Sequence, residues 1–242
     1  MRQRPLSRRG ALALLGGSAM ARPASAQTRA FVDSAGRKIE LPAQVSRVFV
    51  AGPPASVFAY VLDRHAMVGW IRLPSPAEKE FLLPPARDLP ETGRLTGRGD
   101  TVSLERLVAA KPDLVLDVGV TLPTYVSLAD RVQSQTGIPY ALVDGRFANT
   151  AAALTLAGDM LGRQARAAEL VDYVARTLVG VDEVLARVPA DRRPRIYLAR
   201  GAEGLETGAR GSINTEIIER VGGINVAVGG ADRQGIAKVQ LE

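Results

Sequence analysis

The sequence predicts an α/β protein with two Rossmann-like lobes joined by one long α-helix, the second lobe being incomplete. Three patterns predict it. Short apolar segments alternate with helical patterns up to about residue 148, a single helical pattern covers residues 164–188, and a strand and a helix then follow. Alternating strands and helices are typical of a parallel sheet with right-handed crossovers. We therefore divide the chain into a first lobe at 27–148, a helical segment at 149–188 and an incomplete second lobe at 189–242.

The first 26 residues have the pattern of an export signal. Four arginines precede a short, mildly apolar stretch, and Ala-Ser-Ala at 24–26 is typical of a cleavage site. Ser7, Arg8 and Arg9 resemble part of a twin-arginine signal. We therefore expect a periplasmic, soluble mature protein that begins at Gln27. No lipid anchor is expected, because the cleavage site has no cysteine.

The charge balance argues against a nucleic-acid partner. The chain has 31 basic and 25 acidic residues, and residues 1–26 hold five arginines and no acid, which leaves 26 against 25. Nucleic-acid binding needs a basic face on the folded domain, and this balance does not predict one. The chain has no cysteine, which excludes disulfides and thiolate metal sites.

Strands and helices alternate through the first lobe. A short hairpin is predicted at 31–41, and residues 73–99, rich in Pro and Gly, are predicted to be mostly loop. Pro54 suits the first turn of a helix and Ser103 a helix N-cap. The nearly continuous apolar run at 113–119 suits a strand buried on both faces. The predicted strands lie at 47–52, 67–71, 113–119 and 139–145, and the predicted helices at 54–63, 103–111 and 122–136.

Helical patterns dominate residues 149–188. The first helix is expected to end at Gly162, and the second repeats apolar residues at spacings of 4, 3, 4 and 3. A helix over 164–188 would be about 36 Å long, which is enough to cross a small domain. A new strand is predicted at 194–201, and a new helix at 212–223 ends in a glycine cap.

The end of the chain, KVQLE at 238–242, is similar to the VSLE that opens the predicted helix after residue 101. At that earlier place the segment continues through a helix, a Lys-Pro-Asp break and an apolar strand. We therefore expect KVQLE to open a helix and the second lobe to continue beyond it. The chain is interpreted as a truncated product or an incomplete gene model.

Candidate ligand contacts follow from the predicted sheet, because ligands bind outside the carboxyl ends of parallel strands. Guanidinium groups bind anions through forked hydrogen bonds, so Arg72, Arg146 and Arg200 suit an anionic chelate or an oxyanion. Each of them also suits a structural surface role, and Arg98 in a Gly-rich loop is a further candidate. The aromatic candidates suit stacking on a planar ligand or a place in the core. The candidates at the strand ends are Pro54, Trp70, Arg72, Thr121, Tyr125, Arg146, Phe147, Arg200 and Thr207.

Few residues suit catalysis or direct metal binding. His65 is the only histidine and lies between a predicted helix and strand, away from the expected ligand site. Zinc and nickel favour several N or S ligands, so a metal is expected to arrive already chelated. The turn AGPPAS at 51–56 contains two prolines, which remove backbone donors where a phosphate would bind. The sequence therefore predicts no enzyme activity, no cofactor and no resident metal.

Two segments, VSLERLVAAKPDLVL at 102–116 and LETGARGSINTEIIERVGGINVA at 205–227, resemble the periplasmic binding proteins of iron-siderophore and cobalamin ABC importers. The likeness extends over essentially all of the mature chain. It implies two lobes joined by a long helix, with the ligand bound between them and only slight closure. It also implies that an acidic residue on each lobe docks on arginines of the permease. Glu219 matches the second-lobe position, and Glu78 or Glu80 the first.

The resemblance implies a monomeric ligand-capture protein that delivers a metal chelate to a permease and its ATPase in the inner membrane. A ferric siderophore is the first choice of ligand, followed by cobalamin, haem or an oxyanion such as molybdate. Two alternatives remain open: a binding or sensor module of the same fold outside transport, and a truncated fragment without function. Genes for a permease and an ATPase beside this one would favour import.

Overall fold

The computed structural model describes residues 27–97, 102–208, 211–227 and 236–240. The predicted export signal lies outside the described residues, as do Arg98 and the last two residues of the chain. The fold is α/β with a parallel sheet, which confirms the predicted class. The lobe boundaries at 148 and 188 stay predictions.

A parallel sheet forms the centre of the first lobe. An antiparallel hairpin of β1 (Thr28–Val32) and β2 (Lys38–Pro42) precedes it. The sheet consists of β3 (Val48–Val50), β4 (Leu114–Gly119) and β5 (Tyr140–Asp144), with β4 in the middle. All of β3 and the first five residues of β4 are buried. This burial on both faces explains why these strands are almost continuously apolar.

Short local signals set the ends of the helices. The Ser103 hydroxyl accepts the N–H of Arg106 at one helix start, as an N-cap does. Two other helices end at Gly137 and Gly162, whose φ angles of 70° and 65° are left-handed. The helices of this part are α1 (Pro53–Asp63), α2 (Pro76–Lys79), α3 (Leu104–Ala109), α4 (Pro123–Thr136) and α5 (Thr150–Leu161), with 3-10 turns at Ala86–Asp88 and Phe147–Asn149.

Helices cover both faces of the sheet and create two apolar clusters. Leu116 and its neighbours of the same pleat pack with α1 and α5 in the first cluster. Val115, which points the opposite way, packs with Leu107 of α3 and Val132 of α4 in the second. The alternation along β4 follows from the two-residue repeat of a strand.

The predicted strand at 67–71 is wrong. Met67 and Trp70 form only isolated bridges. The N–H of Trp70 donates to Pro90 (2.9 Å), and its carbonyl oxygen accepts the N–H of Thr92 (2.8 Å). The segment thus leaves the sheet after a single bridge to Val48 of β3 and pairs with a loop. The described part of the sheet therefore has three strands instead of four.

A long helix, α6 (Gln164–Leu185), follows α5 and packs against it. Its 22 residues correspond to about 33 Å, and it ends three residues before the predicted end at Val188. Ala167 is the one residue of α6 that is buried.

Short elements follow α6. β6 (Arg195–Ile196) pairs with β8 (Ile224–Asn225) in parallel, and β7 (Glu206–Gly208) pairs with β9 (Ile236–Lys238) in antiparallel orientation. The helix predicted at 212–223 is shorter than expected, because residues 213–215 form turns before it and it ends at Arg220, ahead of the predicted glycine cap. Lys238 ends a strand, so the described part of KVQLE does not open the predicted helix. The other described elements are α7 (Glu216–Arg220) and a 3-10 turn at Ala190–Arg192.

Candidate ligand-binding cleft

A cavity of about 600 Å³ opens at the carboxyl ends of β3 and β4, and we call it the cleft. Its first wall belongs to the sheet and its loops and includes Pro54, Asp117 and Tyr125. Its second wall consists of residues after α6 and includes Arg200 and Asn214. Because several chain segments end at this edge of a parallel sheet, side chains distant in sequence meet here.

A tight loop closes the first wall beside β3. The carbonyl oxygen of Ala51 accepts the N–H groups of Leu95 (2.9 Å) and Thr96 (3.0 Å). A Cβ atom on Gly52 would lie 2.6 Å from Thr96 Oγ1, so this approach requires glycine. The loop thereby holds the Thr96 hydroxyl against β4.

A buried carboxyl group lies on the first wall of the cleft. Asp117 of β4 is 5% exposed and accepts hydrogen bonds from Thr96 Oγ1 (3.2 Å) and the Tyr140 hydroxyl (3.0 Å). Burial raises the pKa of Asp117 above its ordinary value of 3.8, while the hydrogen bonds from Tyr140 and Thr96 act to lower it. Among the described residues, no cation forms an ion pair with this carboxyl group.

Asp117 is absent from the candidates that the sequence predicts. A signal was available, because an acid inside the apolar run LVLDVG is costly to bury unless it is hydrogen-bonded. Its partners Thr96 and Tyr140 are 21 and 23 residues away, and only the folded sheet brings them to it.

The second wall positions a guanidinium group through a chain of hydrogen bonds. Arg200 Nη1 donates to Asn214 Oδ1 (2.6 Å). The backbone N–H and Nδ2 of Asn214 donate to Ser212 Oγ (3.3 and 3.2 Å), and Ser212 is fully buried. Arg200 is itself exposed, so its charge is available to a ligand while its geometry is restrained.

Two contacts connect α7, which follows α6, with earlier parts of the chain. The N–H of Phe147 donates to Glu216 Oε1 (2.5 Å), which ties the end of the first lobe to α7. Arg220 of α7 binds Asp182 of α6 through two hydrogen bonds of 2.5 and 3.0 Å. The second wall is therefore docked against both the first lobe and the long helix.

Three predicted contacts, Pro54, Tyr125 and Arg200, line the cleft together. Two others, Trp70 and Arg72, line a neighbouring cavity of about 730 Å³, which shares Pro53 with the cleft. Trp70 is held there by a hydrogen bond from Nε1 to the Ala86 carbonyl (2.7 Å).

Arg72 is occupied by Glu78. Its Nη1 and Nη2 donate to the two Glu78 carboxylate oxygens at 2.9 and 2.6 Å. These bonds and those from Ser75 lower the pKa of Glu78 to about 2. Glu78 also completes the capping box at the start of α2 with Ser75. Arg72 therefore does not enter the cleft as a free anion-binding group.

The remaining predicted contacts that the structure describes do not line the cleft. Arg146 lies 2.5 Å from Asp144, and this hydrogen bond lowers the pKa of the Asp144 carboxyl. Phe147 contributes its N–H to Glu216, and Thr207 is buried within β7. Thr121 follows a lining residue without lining the cleft itself.

The structure separates the two first-lobe docking candidates. The Glu78 carboxylate is engaged by Arg72 and by Ser75. Glu80 is exposed just after α2 and forms no ion pair with a described residue. Glu219 is exposed on α7. Of the two first-lobe candidates, the exposed Glu80 is therefore the better group for binding an external arginine.

His65 lines two smaller cavities away from the cleft, together with Asp63 and Arg163. Within the part of the chain that the structure describes, no group of three or more His, Cys, Asp or Glu side chains is arranged to hold a metal ion. None of the described helices has the length and apolar character needed to cross a membrane.

Residues 78–242 match the profile of the family described as periplasmic binding protein. No match to a curated protein is found. An ABC transporter solute binding protein from Sulfurospirillum deleyianum has a similar solved structure, with a TM-score of 0.69 and 24% identity. That alignment covers 84% of this chain and 65% of the other, so this chain spans less than two thirds of that relative.

Two further solved structures have names that mention a ligand. The molybdate periplasmic binding protein MolA of Haemophilus influenzae, bound to molybdate, is 22% identical with a TM-score of 0.66, over 88% of this chain and 69% of that one. The periplasmic heme-binding protein RhuT from Roseiflexus sp. RS-1 is 18% identical with a TM-score of 0.59, over 81% and 71%. At these identities the likeness establishes the fold.

Proposed function

This chain belongs to the periplasmic binding protein family, and on that premise we propose that it captures a metal chelate in the cleft for an ABC importer. The observation that carries the proposal is the cleft of about 600 Å³ between two walls from different parts of the chain. Similar proteins named for binding heme and molybdate support a metal-containing ligand.

The size of the cleft favours a chelate over a bare ion. A volume of 600 Å³ corresponds to about 20 water molecules at ~30 Å³ each, whereas a tetrahedral oxyanion has five heavy atoms. Sites for organic ligands span roughly 300–1,000 Å³. The volume therefore places an oxyanion such as molybdate last. Among the chelates we keep the order that the family resemblance implies, with a ferric siderophore first and then cobalamin and haem.

The residues that line the cleft suit binding of a ligand without a chemical reaction. Most lining groups are apolar, and a few polar groups orient the ligand, as in typical small-molecule sites. Arg200 offers a permanent positive charge and forked donors to acceptor oxygens of the chelate. Capture would end in slight closure of the lobes at 27–148 and 189–242 about α6. No bond of the ligand is broken in this mechanism.

Delivery requires partners and a compartment. We infer that the protein is exported to the periplasm as a soluble monomer and docks on the permease of an inner-membrane ABC importer with its ATPase. Glu80 on the first lobe and Glu219 on the second are the proposed docking groups. Glu80 is preferred to Glu78, because Arg72 already neutralises the Glu78 carboxylate.

The test is direct binding to the exported protein purified from the periplasm. A ferric trihydroxamate, a ferric tricatecholate, cobalamin, haem and molybdate would be titrated by calorimetry, with fluorescence of the single tryptophan, Trp70, as a second readout. We expect a ferric chelate to bind most tightly. Arg200→Ala should weaken it about tenfold or more, because a charge-assisted hydrogen bond is lost.

Arg176→Ala is the matched control. It removes another exposed arginine, which pairs with Asp172 on α6 rather than lining the cleft. Its affinity should equal that of the wild type. Binding of molybdate alone, or of none of the five probes, would show the proposed ligand class to be wrong.

A further inference from the structure

We propose that Asp117 makes the cleft selective for a chelate that carries a positively charged amine. This inference rests on the proposed function, since it names the class of chelate that the same cleft takes. It starts from Asp117, a buried acid in the cleft that is not among the predicted ligand contacts and has no role in the proposed function so far. Asp117 lines the cleft, is 5% exposed and receives two hydroxyl donors but no cation among the described residues.

The carboxyl group has acceptor capacity left for a ligand. An ionised carboxylate offers about four lone-pair sites, and Thr96 and Tyr140 each fill one, on different oxygens. Both donors are neutral, so they orient the carboxyl group without neutralising it. The loop that carries Thr96 is fixed to the end of β3, and Tyr140 is fully buried. The acceptor is therefore preorganised at the surface of the cleft.

Among the described residues, no positive charge balances the Asp117 carboxylate. A buried carboxylate without a cation is costly, and burial accordingly raises the pKa of Asp117. An ammonium group on a bound ligand would supply the missing charge and a strong hydrogen bond. A ligand with a neutral, non-donating group at that place would leave the acceptor unfilled. Sites built to receive a donor discriminate strongly against analogues that lack it.

Among the described arginines, Arg72, Arg146 and Arg200 do not supply the missing cation. Arg72 is engaged by Glu78, and Arg146 by Asp144. Arg200, on the opposite wall, is bonded to Asn214. The cleft thus presents a cation on one wall and an acid on the other. A chelate whose oxygens face Arg200 and whose amine faces Asp117 matches both.

The experiment uses two forms of one chelate, a ferric trihydroxamate with a free ammonium group and the same chelate with that amine acetylated. Both would be titrated into the full exported protein by calorimetry at neutral pH. We expect the ammonium form to bind about tenfold tighter or more. In Asp117→Asn, which keeps the shape, the two forms should bind within about threefold of each other.

Asp130→Asn is the control for overall charge. It removes an acid from the exposed face of α4, where the Asp130 side chain is 62% exposed and pairs with Arg37. It should keep the full preference for the ammonium form. The comparison of ligands on the wild-type protein needs no variant, so a folding defect of Asp117→Asn cannot hide the answer.

The outcomes separate the two proposals. Tight but equal binding of both forms to the wild-type protein overturns the role of Asp117 and leaves chelate capture standing. A preference that persists unchanged in Asp117→Asn also overturns it. Binding of neither form removes the ferric trihydroxamate as ligand and the inference with it, while the other chelates of the proposed function are tested separately.

Discussion

The two walls of the cleft are built by regions with different interiors. Before α6, the sheet packs into two apolar clusters in which whole strands are inaccessible to solvent. After α6, the buried apolar side chains among the described residues are Ile218, Ala227 and Ala237, each 8% exposed. The buried polar residues there are Thr207, Ser212, Thr215 and Asn225.

This difference shows that the walls are stabilised in different ways. Burial of apolar surface is the dominant favourable term in folding, and it stabilises the first wall. In the second region, hydrogen bonds of small polar groups determine the local conformation. Asn225 Nδ2 donates to the Gly208 carbonyl (3.1 Å), and Asn225 Oδ1 accepts the N–H of Ala227 (3.1 Å). We therefore expect truncation of large side chains to lower the free energy of unfolding more in the first region than in the second. In the second region, we expect added atoms that crowd the backbone to be destabilising.

The largest expected effect comes from truncating the central strand. Leu116→Ala removes a fully buried side chain from β4 and should lower the free energy of unfolding by about 3 kcal/mol, within the 2–5 kcal/mol range for such sites. Ile218→Ala, the matched change in the second region, should cost about 1–2 kcal/mol, because its surroundings are partly open. Urea denaturation followed by circular dichroism measures both. An equal or larger loss for Ile218→Ala would contradict the comparison.

A smaller effect is expected from crowding the second region. A Cβ atom on Gly208 would lie 2.8 Å from Ser212 Oγ and 2.9 Å from Thr215 Cγ2. Gly208→Ala should therefore destabilise the protein by about 1–3 kcal/mol and weaken ligand binding by displacing Ser212 beneath Asn214. Thermal denaturation with and without the ferric chelate measures both effects.

Gly180→Ala provides the control, since a Cβ there meets nothing within 4 Å and the site lies inside α6. Replacing a helical glycine should stabilise the protein by about 0.5–1 kcal/mol. If Gly208→Ala behaves like Gly180→Ala, the second region is looser than the structure indicates.

The smallest expected effect is a change in pH dependence at Asp117, the acid inside the apolar region. Its folded pKa is raised above 3.8 by burial, so the folded state holds this proton more tightly than the unfolded state. Stability should therefore fall as pH rises from about 4 through the folded pKa. Asp117→Asn has no such titrating group, so it should not lose stability in this way. The thermal midpoint of the variant minus that of the wild type should therefore become more positive between pH 4 and pH 8. A constant difference, at both low and high salt, would show that the carboxyl group is not desolvated.

Structural features that depend on residues close together in the sequence are predicted correctly. The Ser103 cap, the end of α5 at Gly162 and the buried run of β4 all appear where the sequence places them. The strand at 67–71 was predicted wrongly, because an apolar segment of five residues does not reveal which backbone it will pair with. Trp70 pairs with a loop instead of the sheet.

The arginines illustrate a second limit of prediction from the sequence, which is the choice of ligand contacts. One rule, the position after a predicted strand, predicts Arg72, Arg146 and Arg200 as ligand contacts. Arg72 is bound by Glu78, six residues away, and Arg146 by Asp144, two residues away. These acids are visible in the sequence, and they argue against both arginines as ligand contacts. Arg200 has a neutral amide partner instead, so its charge remains uncompensated by that contact.

The sequence by itself determined the α/β class, the long helix and the similarity to the periplasmic binding protein family, because periodicity, caps and short motifs are local properties. Only the tertiary structure decided which strand-end residues face the cleft and that Asp117 lies there. Thr96, Asp117 and Tyr140 are brought together by the parallel order of β3, β4 and β5. Contacts across a sheet depend on which strands become neighbours, and no local pattern in the chain specifies that order.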